Sequence, residues 1–332
     1  MSVRYFYLAA LCMTTLLCTP CRGQQPLTPA SGYVLPDGAV RIIGAPETEG
    51  IVQALNVLFE QSHPGLHLKF EKSNTLGSID SLIFDATLVA PVVTPYGGGI
   101  AYSDIVKAPP FYIRIAHASV SPTAAFSPLA VIVNPANPID KISMDQLASI
   151  FSKPLRSPVF SHWSQLNVAG PLLLQPVSPA GLPWTDHYTS DDPAFGDDVF
   201  LRRFNGAAPA DTYRMFQTYG EVAAFVAANP TAIGIVAFNQ ITPGVKVLGL
   251  TEGPSAKVRT PSAAEIRRGH YPLDRYVYLY ARVPKGKPMD ALALAYLQLA
   301  LSPEGQAAIA AEHEGYLPLN STEVAEEQSK FE

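Results

Sequence analysis

Apolar residues fall in short groups whose spacing alternates between strand-like and helix-like. Ala39 to Ile43 is a compact apolar run ending at Gly44, which predicts a short buried strand. Ile51, Leu55, Leu58 and Phe59 then recur at helical spacing, with Thr48 placed to cap them and His63-Pro64-Gly65 to end them. Leu66, Leu68 and Phe70 alternate as a second strand. Strand, helix and strand within about thirty residues form the repeating unit of an α/β sheet.

The alternation continues. Strands are predicted at Phe111 to Ala116, Leu129 to Val133, Leu172 to Pro176, Ala232 to Phe238, Val245 to Leu250 and Tyr276 to Val283. Ser143 with Gln146, and Ser262 with Glu265, have the spacing of capping boxes. Asp290 to Leu301 reads as an apolar helix, and Ser302-Pro303 restarts a helix that Gly315 closes. No internal repeat or low-complexity tract interrupts the series.

The first residues do not belong to this pattern. Arg4 precedes a 14-residue apolar run, Tyr5 to Cys18, and Cys21-Arg22-Gly23 leads to Gln24, which is the layout of a secretion signal cleaved after residue 23. The run is shorter than the roughly 20 residues that cross a bilayer. All three cysteines, Cys12, Cys18 and Cys21, lie inside the signal, so the mature chain is expected to hold no thiol, disulfide or thiolate-bound metal. A lipid anchor is the competing fate, but bulky Leu17 before Cys18 and Pro20 before Cys21 stand where small residues are required. Removing Arg4 and Arg22 from 23 basic residues leaves 21 against 28 acidic ones, a net charge of −7 that disfavours nucleic acid as a partner. The length suits two lobes, and 31 prolines with 15% charged residues imply ordered loops.

From Leu129 onward a series of motifs stands out: Leu129 to Pro135 with Asn137-Pro138-Ile139, Leu147 to Phe151, Trp163 to Leu166 with Gly170-Pro171, and Ala232 to Val236. It continues with Tyr271 to Tyr278, Ser302 to Gln306 and Gly315 to Leu319, over about 190 residues. In wording and in order this series resembles the phosphate-type substrate-binding proteins of bacterial ABC importers. The resemblance implies the type II periplasmic binding protein fold of the α/β class, two α/β lobes joined by a two-strand hinge. Lobe one would take 38–127 plus 269–319 and lobe two 128–251, with a return linker and short helix at 252–268 and a C-terminal tail at 320–332. A monomer would capture a small oxyanion, phosphate first, in the interlobe cleft. Bending near Phe111 to Ala116 and Pro128 to Val133 would close it, and an ABC permease at the membrane would recognise the closed form. No enzyme activity, cofactor or metal is implied, and the protein would work in the periplasm or outside the cell.

Such clefts aim helix N-termini and hydroxyls at the anion. The positions matching the family are Ala45 to Thr48, Gly77-Ser78 and His187 to Ser190, giving Ala45, Thr48, Gly77, Ser78, Thr189 and Ser190 as ligand-binding candidates. Thr48 and Ser78 are equally explained as helix caps, Ser78 before Ile79 to Ile83. Two departures follow. The family's arginine and Ser-Gly-Thr loop are missing near Thr189, since no Arg occurs between Arg156 and Arg202, and Leu88 to Pro91 replaces its Ser-Asp pair. An inward Glu47 or Glu49 at about 6 Å would repel a phosphate dianion by about 5 kcal/mol at an effective dielectric of about 20. Either both carboxylates face solvent or the ligand is another species. A binding module that has lost its ligand and serves as a sensor or partner protein is therefore the alternative, with an unrecognised secreted enzyme a remote one.

Other chemistry is set aside on local grounds. Pro64-Gly65 breaks any helix that could align His63 with His67 on a metal. Gly97 to Gly99 lacks the lysine of a phosphate-binding loop. No Gly-x-Ser-x-Gly elbow occurs, and the histidines have no catalytic neighbour in sequence. Asp191-Asp192 and Asp197-Asp198 read as turn and helix-start residues.

Overall fold

A computed structural model describes residues 29, 32–95, 105–154, 157–170, 172–179, 195–253 and 256–332. The predicted signal, the Gly97 to Gly99 loop and Asp191-Asp192 lie outside them.

β1 (Val40–Gly44) leads through a short 3-10 turn into α1 (Glu49–Ser62), and β2 (Leu68–Lys72) pairs in parallel with β1. α1 buries Ile51, Leu55 and Phe59 of the predicted stripe and leaves Leu58 half-buried. Each such side chain contributes about 2 kcal/mol relative to exposure. His63 stacks on Phe59 with ring centroids 4.2 Å apart and caps the helix C-terminus. α2 (Thr75–Ile83) follows, then β3 (Ala90–Val92) and β4 (Phe111–His117).

β3 carries Pro91, which has no N–H to donate, so it does not form a regular ladder with β1. Isolated bonds bridge the gap: Leu88 N–H to Arg41 O at 2.9 Å and Ala45 N–H to Pro91 O at 2.9 Å. Ile43 N–H turns instead to Thr87 Oγ1 at 2.7 Å.

The chain then enters a second group of elements. In chain order these are β5 (Leu129–Val133), β6 (Lys141–Ser143), α3 (Met144–Phe151), β7 (Gln175–Pro179), a π-type helix (Gly196–Arg203), β8 (Arg214–Phe216), α4 (Tyr219–Ala228), β9 (Ala232–Ala237), β10 (Lys246–Val247), β11 (Gly249–Thr251) and α5 (Ala263–Arg267). Their main sheet has the order β10-β5-β9-β7-β8. β5 and β9 are buried at every residue, as their unbroken apolar runs require when both sheet faces are covered.

The return brings β12 (Tyr276–Ala281), α6 (Ala291–Ala300), α7 (Pro303–Ala311), β13 (Leu317–Pro318) and α8 (Ser321–Gln328). The sheet β13-β4-β12-β3 closes this part. Residues 320–332, expected as a tail, form α8 because Asn320 and Glu323 make a reciprocal capping box.

Two large hydrophobic clusters and a smaller one result among the described residues. One large cluster gathers Ile42, Leu55, Phe59, Ile115, Leu279 and Leu297, the other Val131, Phe151, Trp163, Phe200, Val222 and Ile235, while Ile79, Leu82, Val92 and Tyr280 form the small one under α2. The backbone passes between the two large clusters at Phe126–Leu129 and again at Leu273–Val277.

Three local predictions shift. The strand expected at Leu172 to Pro176 forms three residues later as β7, because Leu172 and Leu173 are exposed and Leu173 makes only an isolated bridge to His162. The strand expected at Val245 to Leu250 is split, β10 pairing with β5 and β11 with β6. Ser143 and Gln146 form the predicted box, whereas Glu265 completes only half of its own: its N–H reaches Ser262 Oγ, and its carboxylate is drawn to Arg259 at 2.8 Å and Arg268 at 3.1 Å.

Gly305 in α7 fits only without a side chain, since a β-carbon there would lie 2.0 Å from the Leu299 carbonyl oxygen. Backbone cannot yield as a flexible side chain does. Gly305→Ala is expected to cost about 3 kcal/mol, read as a lowered urea midpoint at unchanged slope.

Candidate ligand-binding site

In open α/β sheets, ligands bind beyond the carboxyl ends of the strands. β1 and β2 are parallel neighbours, and each is followed by a helix, β1 by α1 through the short 3-10 turn and β2 by α2. Two helix N-termini therefore rise from one sheet edge, where the Ser73 N–H donates to Gly44 O at 2.8 Å. Ala45, Thr48, Gly77 and Ser78 all belong to these starts. Thr189 and Ser190 lie outside the described residues.

The four described candidates have their donors engaged within the chain. Ala45 N–H goes to Pro91 O, and Pro46 has none. Thr48 is fully buried, with its N–H and its hydroxyl both donated to Ala45 O at 2.9 and 2.7 Å. Thr48 stands at the N-cap of α1 yet accepts no cap bond, because its backbone is already helical there. The cap of α2 is Asn74, not Ser78: Asn74 Oδ1 accepts from Gly77 N–H at 2.7 Å. Ser78 lies inside the helix, fully buried, and donates its hydroxyl to Asn74 O at 2.8 Å.

Acidic groups crowd the start of α1. Glu49 is paired with Lys72 at 2.8 Å, a half-exposed contact. Gly50 allows Glu312 to lie over the first turn, for a β-carbon at 50 would be 2.8 Å from Glu312 Oε2. That carboxylate accepts the N–H groups of Glu314 and Tyr316 at 2.8 and 2.9 Å. Tyr316 also donates its hydroxyl to Glu47 O at 2.6 Å. Burial, with the charges of Glu312 and Glu47 added, pushes the Glu314 carboxyl above the usual range.

A family model described as a PBP superfamily domain matches residues 24–304. The chain belongs to the PBP superfamily. Phosphate-binding protein PstS of Pseudomonas aeruginosa is 28% identical over 218 residues, 63% of this chain and 64% of that protein. The chain thus spans less than two thirds of the length of the curated relatives it matches. Among solved structures, an ABC-type phosphate transport receptor from Vibrio cholerae has a TM-score of 0.54 at 16% identity, over 83% of this chain and 98% of that one. PstS from Borrelia burgdorferi gives 0.56 at 15% identity, over 85% and 99%. The fold of this PBP-superfamily chain is the type II periplasmic binding protein fold, as its sequence motifs imply. Among the described residues, no helix is long and apolar enough to cross a membrane.

A second set of polar residues, at the passage between the two clusters, was not singled out from sequence. Asp198, read there only as a helix-start residue, is buried on the π-type helix. Its Oδ1 accepts from Arg202 at 2.9 Å and Arg203 at 2.5 Å, and its Oδ2 lies 3.0 Å from Arg275 Nε. These guanidiniums hold its carboxyl below the usual range, although burial alone would raise it. Asp274 contacts His117 Nδ1 at 2.6 Å, and Glu323 contacts Nε2 at 3.0 Å. No sequence spacing could have revealed the set, whose members lie far apart in the chain.

Burial alone would lower the His117 pKa, but the carboxylates of Asp274 and Glu323 on either side outweigh it and lift the value to about 9. The Tyr276 ring packs 4.9 Å away, and its hydroxyl donates to Glu323 Oε1. A raised folded-state pKa stabilises fully below the unfolded value, about 6.5, and the gain is lost as pH rises through about 9. Stability should therefore fall by about 2–3 kcal/mol between pH 6 and 9.5 in urea titrations, and His117→Gln should flatten that slope.

Proposed function

We propose that this chain is an extracytoplasmic solute-binding protein that captures a small oxyanion, phosphate first, for an ABC importer. The ligand would lie between lobe one (38–127 plus 269–319) and lobe two (128–251), in the periplasm or outside the cell. The observation that carries this reading is the pair of N-termini, α1 and α2, at the carboxyl edge of adjacent parallel strands. Each offers about half a positive charge to an anion. The relatives named as phosphate-binding, and named as binding proteins rather than enzymes, support the same reading. Thr48 and Ser78 supply the lobe-one hydroxyls and Thr189 and Ser190 those of lobe two, with Ala45 and Gly77 giving close backbone approach. Thr48 and Ser78 donate to carbonyls of the chain, so binding requires their hydroxyls to rotate as the lobes close. A ligand drives closure only through contacts it makes better in the closed form, which a permease then recognises on the monomer.

A second reading, a module that no longer binds oxyanion and serves a sensory or partner role, is favoured by one observation. The donors of Ala45, Thr48, Gly77 and Ser78 are turned inward while Glu47, Glu312 and Glu314 gather at the α1 start.

Calorimetric titration of the chain with phosphate, sulfate and related oxyanions separates the two. One-to-one binding of phosphate, weakened by about 1–3 kcal/mol in each of Thr48→Ala and Ser78→Ala, is the expected result. Wild-type affinity in both variants removes the lobe-one assignment. Absence of heat with every oxyanion favours the module, and consumption of an added ligand would point to an enzyme.

A further inference from the structure

A cavity of about 270 Å³ lies against the sheet β13-β4-β12-β3 beside α8, and among the described residues none of Ala45, Thr48, Gly77 and Ser78 lines it. The carboxylates in its lining are already engaged. Glu327 accepts from Arg114 Nε and from Lys330, each at 2.5 Å, and from the Arg114 backbone N–H at 3.0 Å, while Glu326 accepts from Arg114 Nη2 at 2.9 Å. Two donors in the same lining are not. Arg202, on the π-type helix, makes one bond, from Nη1 to Asp198 Oδ1 at 2.9 Å, and Arg203 holds that same oxygen at 2.5 Å. The other N–H groups of Arg202 meet no partner among the described residues. Tyr278, on β12, is only 3% exposed, yet its hydroxyl also has no hydrogen-bond partner among the described residues. Burial pushes its pKa up to about 12 against the pull of the Arg202 charge, so the hydroxyl keeps its proton and can donate. A buried donor without an acceptor is costly, and a cavity beside it is where the acceptor can come from.

We propose that this cavity is a second binding site, one that takes a small organic carboxylate held by Arg202 and the Tyr278 hydroxyl. A carboxylate only accepts, so it can satisfy the free side of the Arg202 fork and the Tyr278 proton together, through charge-assisted bonds. Arg114 and Lys330 are balanced by Glu326 and Glu327, which leaves Arg202 as the cation that answers the ligand. The space exceeds what an inorganic oxyanion fills, and Tyr112 and Pro95 wall the remainder, so the carboxylate carries a compact apolar body. Arg202 belongs to the elements of the second large cluster, whereas Tyr112 and Tyr278 belong to the sheet beside the first, so one occupant touches both parts of the chain.

Phenylacetate is the probe, with phenylacetamide as an uncharged counterpart of the same shape, each titrated calorimetrically into the full chain. Phenylacetate is expected to bind one-to-one, and phenylacetamide roughly tenfold more weakly or worse. Arg202→Gln and Tyr278→Phe should each weaken phenylacetate about tenfold. Tyr278→Phe keeps the ring and its packing, so it carries the test should Arg202→Gln fail to fold. No binding of phenylacetate by the wild-type chain, equal binding of the amide, or wild-type affinity in the folded variants would overturn the site. Competition by inorganic phosphate that disappears in Arg202→Gln would give the cavity to an inorganic oxyanion and overturn the carboxylate. A chain that binds phenylacetate as expected but no inorganic oxyanion removes the function proposed above and leaves this second site standing.

Discussion

A carboxylate shut away from water must be neutralised by its neighbours, and Asp198 meets that demand with three arginines drawn from two parts of the chain. Arg202 and Arg203 lie on its own helix, whereas Arg275 comes from the strand returning to the other cluster. The requirement is local but its consequence is not. For Arg275 to arrive, the returning crossing must run beside the π-type helix, Asp274 must follow it in, and His117 and Glu323 must then compensate Asp274. Removing Asp198 would leave Arg275 without its carboxylate partner, and removing His117 would leave Asp274 short of its own, so the set is held together more by the cost of disruption than by the net worth of each pair.

The potential ligand site shows opposite electrostatics. Two helix starts favour an anion, and acidic side chains beside one of them oppose it. Glu49 is compensated by Lys72; Glu47, Glu312 and Glu314 share one neighbourhood, and the upward shift of Glu314 reflects burial first, with the charges of Glu312 and Glu47 added. Part of the α1 dipole is therefore already answered from within the chain, by a carboxylate lying over Gly50.

Much of the fold could be read in advance where one signal dominated. β5 and β9 are unbroken apolar runs flanked by turn residues, and α1 has an uninterrupted stripe, so period and burial agree. β3 was invisible because Pro91 argues against a strand, and it forms only where its missing N–H meets no required acceptor on β1. Leu172 and Leu173 misled for the opposite reason, since apolar residues left on the surface imitate a core strand. Of the candidate positions, Thr48, Gly77 and Ser78 do stand at helix starts, but the direction of the hydroxyls was not legible. Whether Thr48 and Ser78 offer protons outward or return them to their own helices depends on backbone angles that composition does not encode. Asp198 escaped because an Asp-Asp pair beside a helix start is ordinary in sequence, and only tertiary structure brings Arg275 to it.

α8 ties the end of the chain to its middle. Glu327 accepts the Arg114 backbone N–H at 3.0 Å and its Nε at 2.5 Å, across 213 residues, and Glu323 stands beside His117 in the same way. Closing a loop of that length costs conformational entropy before any charge is matched. The arginine and histidine of β4 thus meet these carboxylates only when α8 docks, so the charge balance of the passage depends on the placement of the last helix rather than on anything close to β4 in sequence.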